Sequence, residues 1–208
     1  IAELISGKFL RHSKAFYKWR IKDRLARLET TPNDLTLYDD LSVAYDKTGQ
    51  HEKAIATILT AHEIDPDRYE TLANLGTFHI HNGDLETGLC FIEKAIEINP
   101  DAHFGREVYQ KLLVEYVLEK RGDGPLPQPM SEEDMTVNHR GFARFVLLKQ
   151  KVDPDGIDKT GEIENAVKGV SGMMRFGHHD SPILLEALAD LLTACLLYTS
   201  PSPRDRSS

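Results

Sequence analysis

A chain of 208 residues that is 40% hydrophobic is long enough for one or two folded domains, and its net charge of −8 excludes a general nucleic-acid binder, which needs a basic surface. Two cysteines, Cys90 and Cys195, give no disulfide framework. No apolar run approaches the ~18 residues of a membrane span.

Residues 8–30 predict a helix, with Phe9, Phe16, Tyr17, Ile21, Leu25 and Leu28 at three-to-four spacing among Lys and Arg. Thr31-Pro32-Asn33 ends it, because Pro cannot continue a helix. The segment 1–34 carries eight Lys/Arg against four Asp/Glu, whereas 35–102 carries four against thirteen. Such a basic amphipathic helix can lie on a membrane, but its spacing suits packing against a neighbouring helix better.

From Leu35 the chain writes one unit twice. Leu41-Ser42-x-Ala44-Tyr45, Gly49, Ala54-Ile55, Ala61 and Ile64-Asp65-Pro66 return 34 residues later. The second copy reads Leu75-Gly76-x-Phe78-His79, Gly83, Gly88-Leu89, Ala95 and Ile98-Asn99-Pro100, and Pro32, Pro66 and Pro100 keep the same step. Each copy predicts a helix A, a turn at Gly49 or Gly83, and a helix B. Small residues at 42, 44, 76 and 88 allow close approach of the two helices.

The period and the order of large and small residues resemble the tetratricopeptide repeat, a helix–turn–helix unit of 34 residues. The resemblance implies an all-α, right-handed superhelix of stacked antiparallel helix pairs, an α-solenoid, with repeats at 35–68 and 69–102 and a degenerate one at 1–34. Gly88 and His79 depart from the family pattern, which has Ala and an aromatic there. The resemblance further implies a non-catalytic scaffold that takes a peptide or partner helix in the groove lined by the A helices. Carried over by position, that groove is Asp39, Val43, Asp46 and Lys47 from the first repeat and Ala73, Thr77, Ile80 and His81 from the second. One branch of the family grips a chaperone's C-terminal carboxylate with Lys, Asn and Arg at these sites. Asp39 and Asp46 would repel that ligand, so the partner expected is basic or amphipathic, a second copy of the basic 8–27 segment included. Asp39→Lys with Asp46→Lys is expected to leave stability nearly intact while changing the partner.

Residues 103–121 predict a helix with Phe104, Val108, Leu112, Leu113, Tyr116 and Val117 on one face, suited to capping the stack. Residues 122–130 read as a Gly/Pro linker, and the Arg121-Gly122-Asp123 tripeptide is a chance match to an adhesion signal. The block 131–194 reads as a degenerate helical pair. Ser131-Glu132-Glu133-Asp134 is a helix start, Gly141–Gln150 a short helix, and Glu162–Arg175 a helix B with Val170, Met173 and Phe176 inward. Lys159-Thr160-Gly161 echoes Lys47-Thr48-Gly49, and Ser181-Pro182 opens a last helix carrying Leu185, Leu188, Ala189 and Leu192. Residues 195–208 carry no pattern that continues that helix. They resemble a non-native read-through tail, the alternative being a disordered Ser/Pro tail, so the chain is expected to continue past Ala194 in its natural form. It opens at Ile1 rather than Met, which leaves the compartment open.

No pattern supports catalysis, and no cofactor is expected: no phosphate loop, CxxC pair or HExxH occurs. Gly169-Val170-Ser171-Gly172 lacks the strand–turn–helix setting of a nucleophile elbow. Asp153–Asp158 fails as a calcium loop because Ile157 takes a ligand place and Asp158 the place of the turn Gly. His178-His179-Asp180 is too tight to converge on one ion, and His79 and His81 point to different helix faces, so no metal centre is expected. The alternative to a scaffold is the interaction or regulatory part of a larger enzyme or membrane-associated assembly factor.

Overall fold

The computed structural model describes residues 1–121, 141–154 and 159–199, and these are helical with no strand. The predicted linker 122–130, the helix start at Ser131, residues 155–158 of the acidic turn and the tail from 200 onward lie outside the described residues. The chain divides into two compact units, Leu10–Ala102 and a second made of Ile1–Phe9 with His103–Ser208.

In the first unit, α2 (Lys14–Leu28), α3 (Leu35–Asp46), α4 (His51–Ile64), α5 (Tyr69–His81) and α6 (Leu85–Ile98) each pack on the next in chain order, with α3 also touching α5. This nearest-neighbour stacking of antiparallel pairs is the solenoid arrangement that the period predicts. Gly49 and Gly83 turn the chain at φ +78° and +89°, the left-handed conformation that only Gly adopts at little cost. Ala54, Ile58 and Ala61 of α4 are buried with Leu75 and Phe78 of α5, and Tyr38 and Tyr45 close the cluster from α3. The tightest crossing joins α5 to α6. A Cβ on Gly76 would lie 2.6 Å from Ile92 Cγ1 and 2.9 Å from the Gly88 carbonyl, and one on Gly88 would lie 2.9 Å from the Gly76 carbonyl. Gly88, a departure from the family's Ala, therefore lets two backbones meet.

The first helix starts later than the spacing predicts. The Ser13 side chain accepts from Phe16 N and caps α2, so Phe9 falls outside it; Phe9 belongs to the second unit, where it packs edge-on against the His179 ring. On α2, Arg24 pairs with Asp40 of α3 at 2.7 Å, and Arg20 reaches the same carboxylate at 3.4 Å. The helix thus packs as the B helix of a preceding degenerate repeat would, and Tyr38 secures the connector by donating to the Pro32 carbonyl at 2.9 Å.

The second unit holds α1 (Ala2–Ile5), α7 (Arg106–Arg121), α8 (Phe142–Lys149), α9 (Thr160–Phe176) and α10 (Pro182–Thr199). Tyr109, Leu112 and Leu113 of α7, the helix expected as a cap, sit in this unit's core with Phe142, Val146, Ile163, Val170, Met174, Leu188 and Leu191. Gly169 is pressed against Tyr109, whose ring a Cβ would meet at 2.5 Å. Helix α8 starts at Gly141, which has no side chain to cap it; Asp190 of α10 does so instead, accepting from Ala143 N at 2.9 Å. A Cβ on Gly141 would strike that carboxylate, so Gly there makes room for a cap supplied from another helix.

Three expectations change here. Gly161 is not a turn but the second residue of α9. Phe176, expected inward, is exposed under the Arg106 guanidinium, and Met174 takes the buried place, because the buried face of α9 runs through Ile163, Ala166, Val170 and Met174 and a residue two further on falls about 200° around the helix. Helix α10 continues past Ala194 to Thr199: Ala194 is buried, Cys195 still packs on the core, and the Leu-rich continuation favours helix until Pro201 approaches.

Candidate functional site

The A-helix faces of α3 and α5 form the candidate site. None of the eight predicted residues is fully exposed: Asp46 and Ala73 are buried, and Asp39, Val43, Lys47, Thr77, Ile80 and His81 are half-buried. Val43 packs against the Ala54–Ile58 cluster. Thr77 Oγ1 donates to the Ala73 carbonyl one turn back at 2.9 Å. Ile80 leans on α6, where a Cβ on Gly88 would touch its Cγ1 at 2.6 Å.

The two carboxylates differ. Asp39 accepts from Arg68 Nη2 at 2.6 Å and from Asn74 Nδ2 at 3.3 Å, with side-chain exposure of 16%, so its charge is balanced at the rim of the face. Arg68 in turn lies 3.4 Å from Glu70, and its pKa is raised above the ordinary guanidinium value, chiefly by the Asp39 hydrogen bond. Asp46 is 97% buried, and its Oδ1 lies 2.9 Å from His51 Nδ1 and 2.8 Å from His81 Nδ1. Burial opposes ionisation of Asp46, but the hydrogen bonds from His81 and His51 and the charges of His81 and Lys47 outweigh it, and the carboxyl sits below its ordinary value.

Asp46 is thus a buried joint between α3, α4 and α5 rather than a charge offered to a ligand. The expectation that Asp39→Lys with Asp46→Lys leaves stability intact is corrected accordingly. Lys at 46 would bury a cation between two imidazoles, and breaking a buried pair costs about 3–5 kcal/mol.

Asp39–Asn74 and Asp46–His81 are both 35 residues apart. The 34-residue repeat sets which residues share a role, and the adjacent A helix is offset by one more, so facing pairs fall at +35. That step was readable in the sequence, but nothing in the spacing alone fixes the offset between helices. His79, placed where the family has an aromatic, keeps an aromatic's job: its ring stacks on Phe91 at 5.7 Å and its Nδ1 lies 3.2 Å from Asp84.

Residues 35–102 expose eight carboxylates against two lysines, Lys53 and Lys94; Glu52 and Glu63 lie on α4, Glu86 and Glu97 on α6, Asp65, Asp67 and Asp101 in connectors, and Glu70 on α5. Among the described residues no helix is long and apolar enough to cross a membrane. Of the remaining histidine motif, His179 lies 3.8 Å from Asp180 and is packed over Gly7, where a Cβ would meet its Nε2 at 2.5 Å.

Comparison with known proteins places the repeats in sequence space. A family model described as "Tetratricopeptide repeat" matches residues 35–68 and 69–102. The human protein "Superkiller complex protein 3" is 25% identical over 167 residues, covering 76% of this chain and 10% of its own length. The chain therefore spans about a tenth of the length of the curated relative it matches.

Proposed function

Because residues 35–102 are two consecutive tetratricopeptide repeats, a unit that serves protein–protein interaction, we propose that this chain docks a basic or amphipathic peptide or helix of a protein partner on the α3/α5 face. The observation that carries the reading is the charge of the repeat pair as a whole, eight exposed carboxylates against two exposed lysines. Asp39 and Asp46 are both hydrogen-bonded within the repeats, Asp39 to Arg68 and Asp46 to His51 and His81. Half-buried Val43 and Thr77 suit the apolar side of an amphipathic ligand, and the net negative charge of the repeat pair draws its basic side. Association of this kind is steered over distance and weakens with salt. The relative's name, a complex subunit, agrees with a role in assembly.

The test is capture from the source cell's lysate on the wild-type chain and on Thr77→Arg, at low and high salt. Thr77 is half-buried on the face, its hydroxyl donating to the Ala73 carbonyl one turn back, so a long cation there blocks the groove; a circular dichroism spectrum matching the wild type establishes that the variant is folded before capture. A partner held by the wild type, weakened by salt and lost on Thr77→Arg supports the reading. A partner set indifferent to both refutes it.

A further inference from the structure

Asp46 is the last residue of α3, His51 the first of α4 and His81 the last of α5, so three helices of two different repeats bring one carboxylate and two imidazoles to a single point. Both Nδ1 atoms approach the same oxygen, Asp46 Oδ1, at 2.9 and 2.8 Å, and one ligand atom from each residue lies within 4.8 Å of the others. The two rings stand 6.0 Å apart at 68°, splayed about the carboxylate rather than stacked. Packing does not demand this set. One repeat on, the counterparts of Asp46 and His51 are Ile80 and Leu85, and one repeat back the counterpart of His81 is Lys47. The second repeat, with Ile80 and Leu85 at these places, does not repeat the polar triad.

We propose that Asp46, His51 and His81 bind a zinc-class divalent ion that clamps α3, α4 and α5 together. Two imidazole nitrogens and one carboxylate oxygen are a three-ligand set that zinc accepts, with water in the fourth place. The absence of a thiolate and the shortage of oxygens disfavour copper(I) on one side and calcium or magnesium on the other. Bonds of about 2.0–2.2 Å at tetrahedral angles put ligand atoms about 3.4 Å apart. The two His–Asp separations need open by only about half an ångström to reach that spacing, a movement within side-chain rotation. Coordination through Nδ1 requires that nitrogen to be without its proton, so each bound ring keeps its one N–H on Nε2. Asp46 is buried and held, while His51 and His81 keep side-chain exposures of 25% and 20%, which gives the ion a way in and a place for water. Lys47 is the cation facing the site, and Tyr17 of α2 also senses the Asp46 charge. The ion's net effect is to exchange a hydrogen-bonded joint for a coordinated one, stiffening the two A helices that carry the docking face.

The full chain, stripped with chelator, is titrated with cobalt(II) and zinc. The wild type is expected to take one equivalent, to develop the visible absorption of low-coordinate cobalt, and to melt at higher temperature in zinc, read from Trp19 emission. His51→Gln and His81→Asn retain an N–H toward Asp46 but are poor ligands, and each is expected to lose the cobalt band and the zinc shift with an unchanged metal-free circular dichroism spectrum. Absence of saturable one-equivalent binding by the wild type overturns the proposal. So does binding that survives both substitutions, which would place the ion on other histidines such as His178 and His179. Should either variant fail to fold, the imidazole NMR signals of the wild type decide: zinc-induced shifts at His51 and His81 support the site, and unshifted signals overturn it.

Discussion

Gly76→Leu tests the packing on which the repeat pair depends. A Cβ alone at this position meets Ile92 Cγ1 at 2.6 Å, Ile92 Cδ1 at 2.7 Å and the Gly88 carbonyl at 2.9 Å. Ile92 is fully buried, and a backbone carbonyl cannot rotate away as a side-chain tip can, so α5 and α6 must separate. Overpacking of this kind costs about 1–3 kcal/mol, and the leucine, with three further carbons, belongs at or beyond the upper end. Replacing Gly within a helix returns somewhat less than about 1 kcal/mol. The net loss is about 2 kcal/mol or more. For a unit of this size, 1 kcal/mol moves the midpoint by about 4–8 °C, so a fall of roughly 8–16 °C is expected. The chain's one tryptophan, Trp19, lies on α2 in the repeat unit, so its emission follows that unit's melting separately from the second unit. An unchanged Trp19 midpoint would refute the close crossing and with it the repeat register.

Three further outcomes follow from the same geometry. Gly161→Ala is the counterpart of the first: Gly161 lies in the first turn of α9 with open space around its Cβ position, so alanine should raise the second unit's stability by up to about 1 kcal/mol, seen as a later transition in circular dichroism. Asp190→Ala should cost about 0.5–2 kcal/mol by uncapping α8, whereas Asp190→Asn keeps an acceptor and should be far milder at neutral pH. Burial raises the Asp190 carboxyl above its ordinary value despite the backbone hydrogen bonds, so its ionisation disfavours folding as pH rises through that value, and the amide removes the penalty. Asp46 has the opposite sign. Its folded value is depressed below the ~3.9 of the unfolded chain, so its contribution is present above that value and lost as pH falls through the depressed one. Urea midpoints read from Trp19 should therefore decline below about pH 4 in the wild type and decline less steeply in Asp46→Asn; parallel slopes would contradict the assignment.

The parts of the molecule legible in advance are those where one helix speaks for itself. Gly49 and Gly83 mark turns because a positive φ admits little else, and Gly76, Gly88, Ala54 and Ala61 mark close approach because small residues at that spacing have no other use. What spacing could not supply is the rotation of one helix against the next. Asp39 and Asp46 look alike on the α3 face, yet the +35 offset brings Asn74 to the one, beside Arg68 at the rim, and half-buried His81 to the other, beside His51. The same blindness applies to α7, whose apolar stripe fits a cap or a core, and to Phe176, which lies off the buried face that Met174 completes. Asp190 as the cap of α8 leaves no mark in the residues that begin that helix, because it comes from α10, 47 residues along the chain.

The docking reading rests on the α3/α5 face, and hydrogen–deuterium exchange of the chain with its captured partner measures that face directly. Slowed exchange concentrated in Leu35–Asp46 and Tyr69–His81, with α4, α6 and the second unit unchanged, is the result predicted. Protection confined to α4 and α6, or to residues beyond 103, would contradict it and move the docking surface elsewhere on the chain.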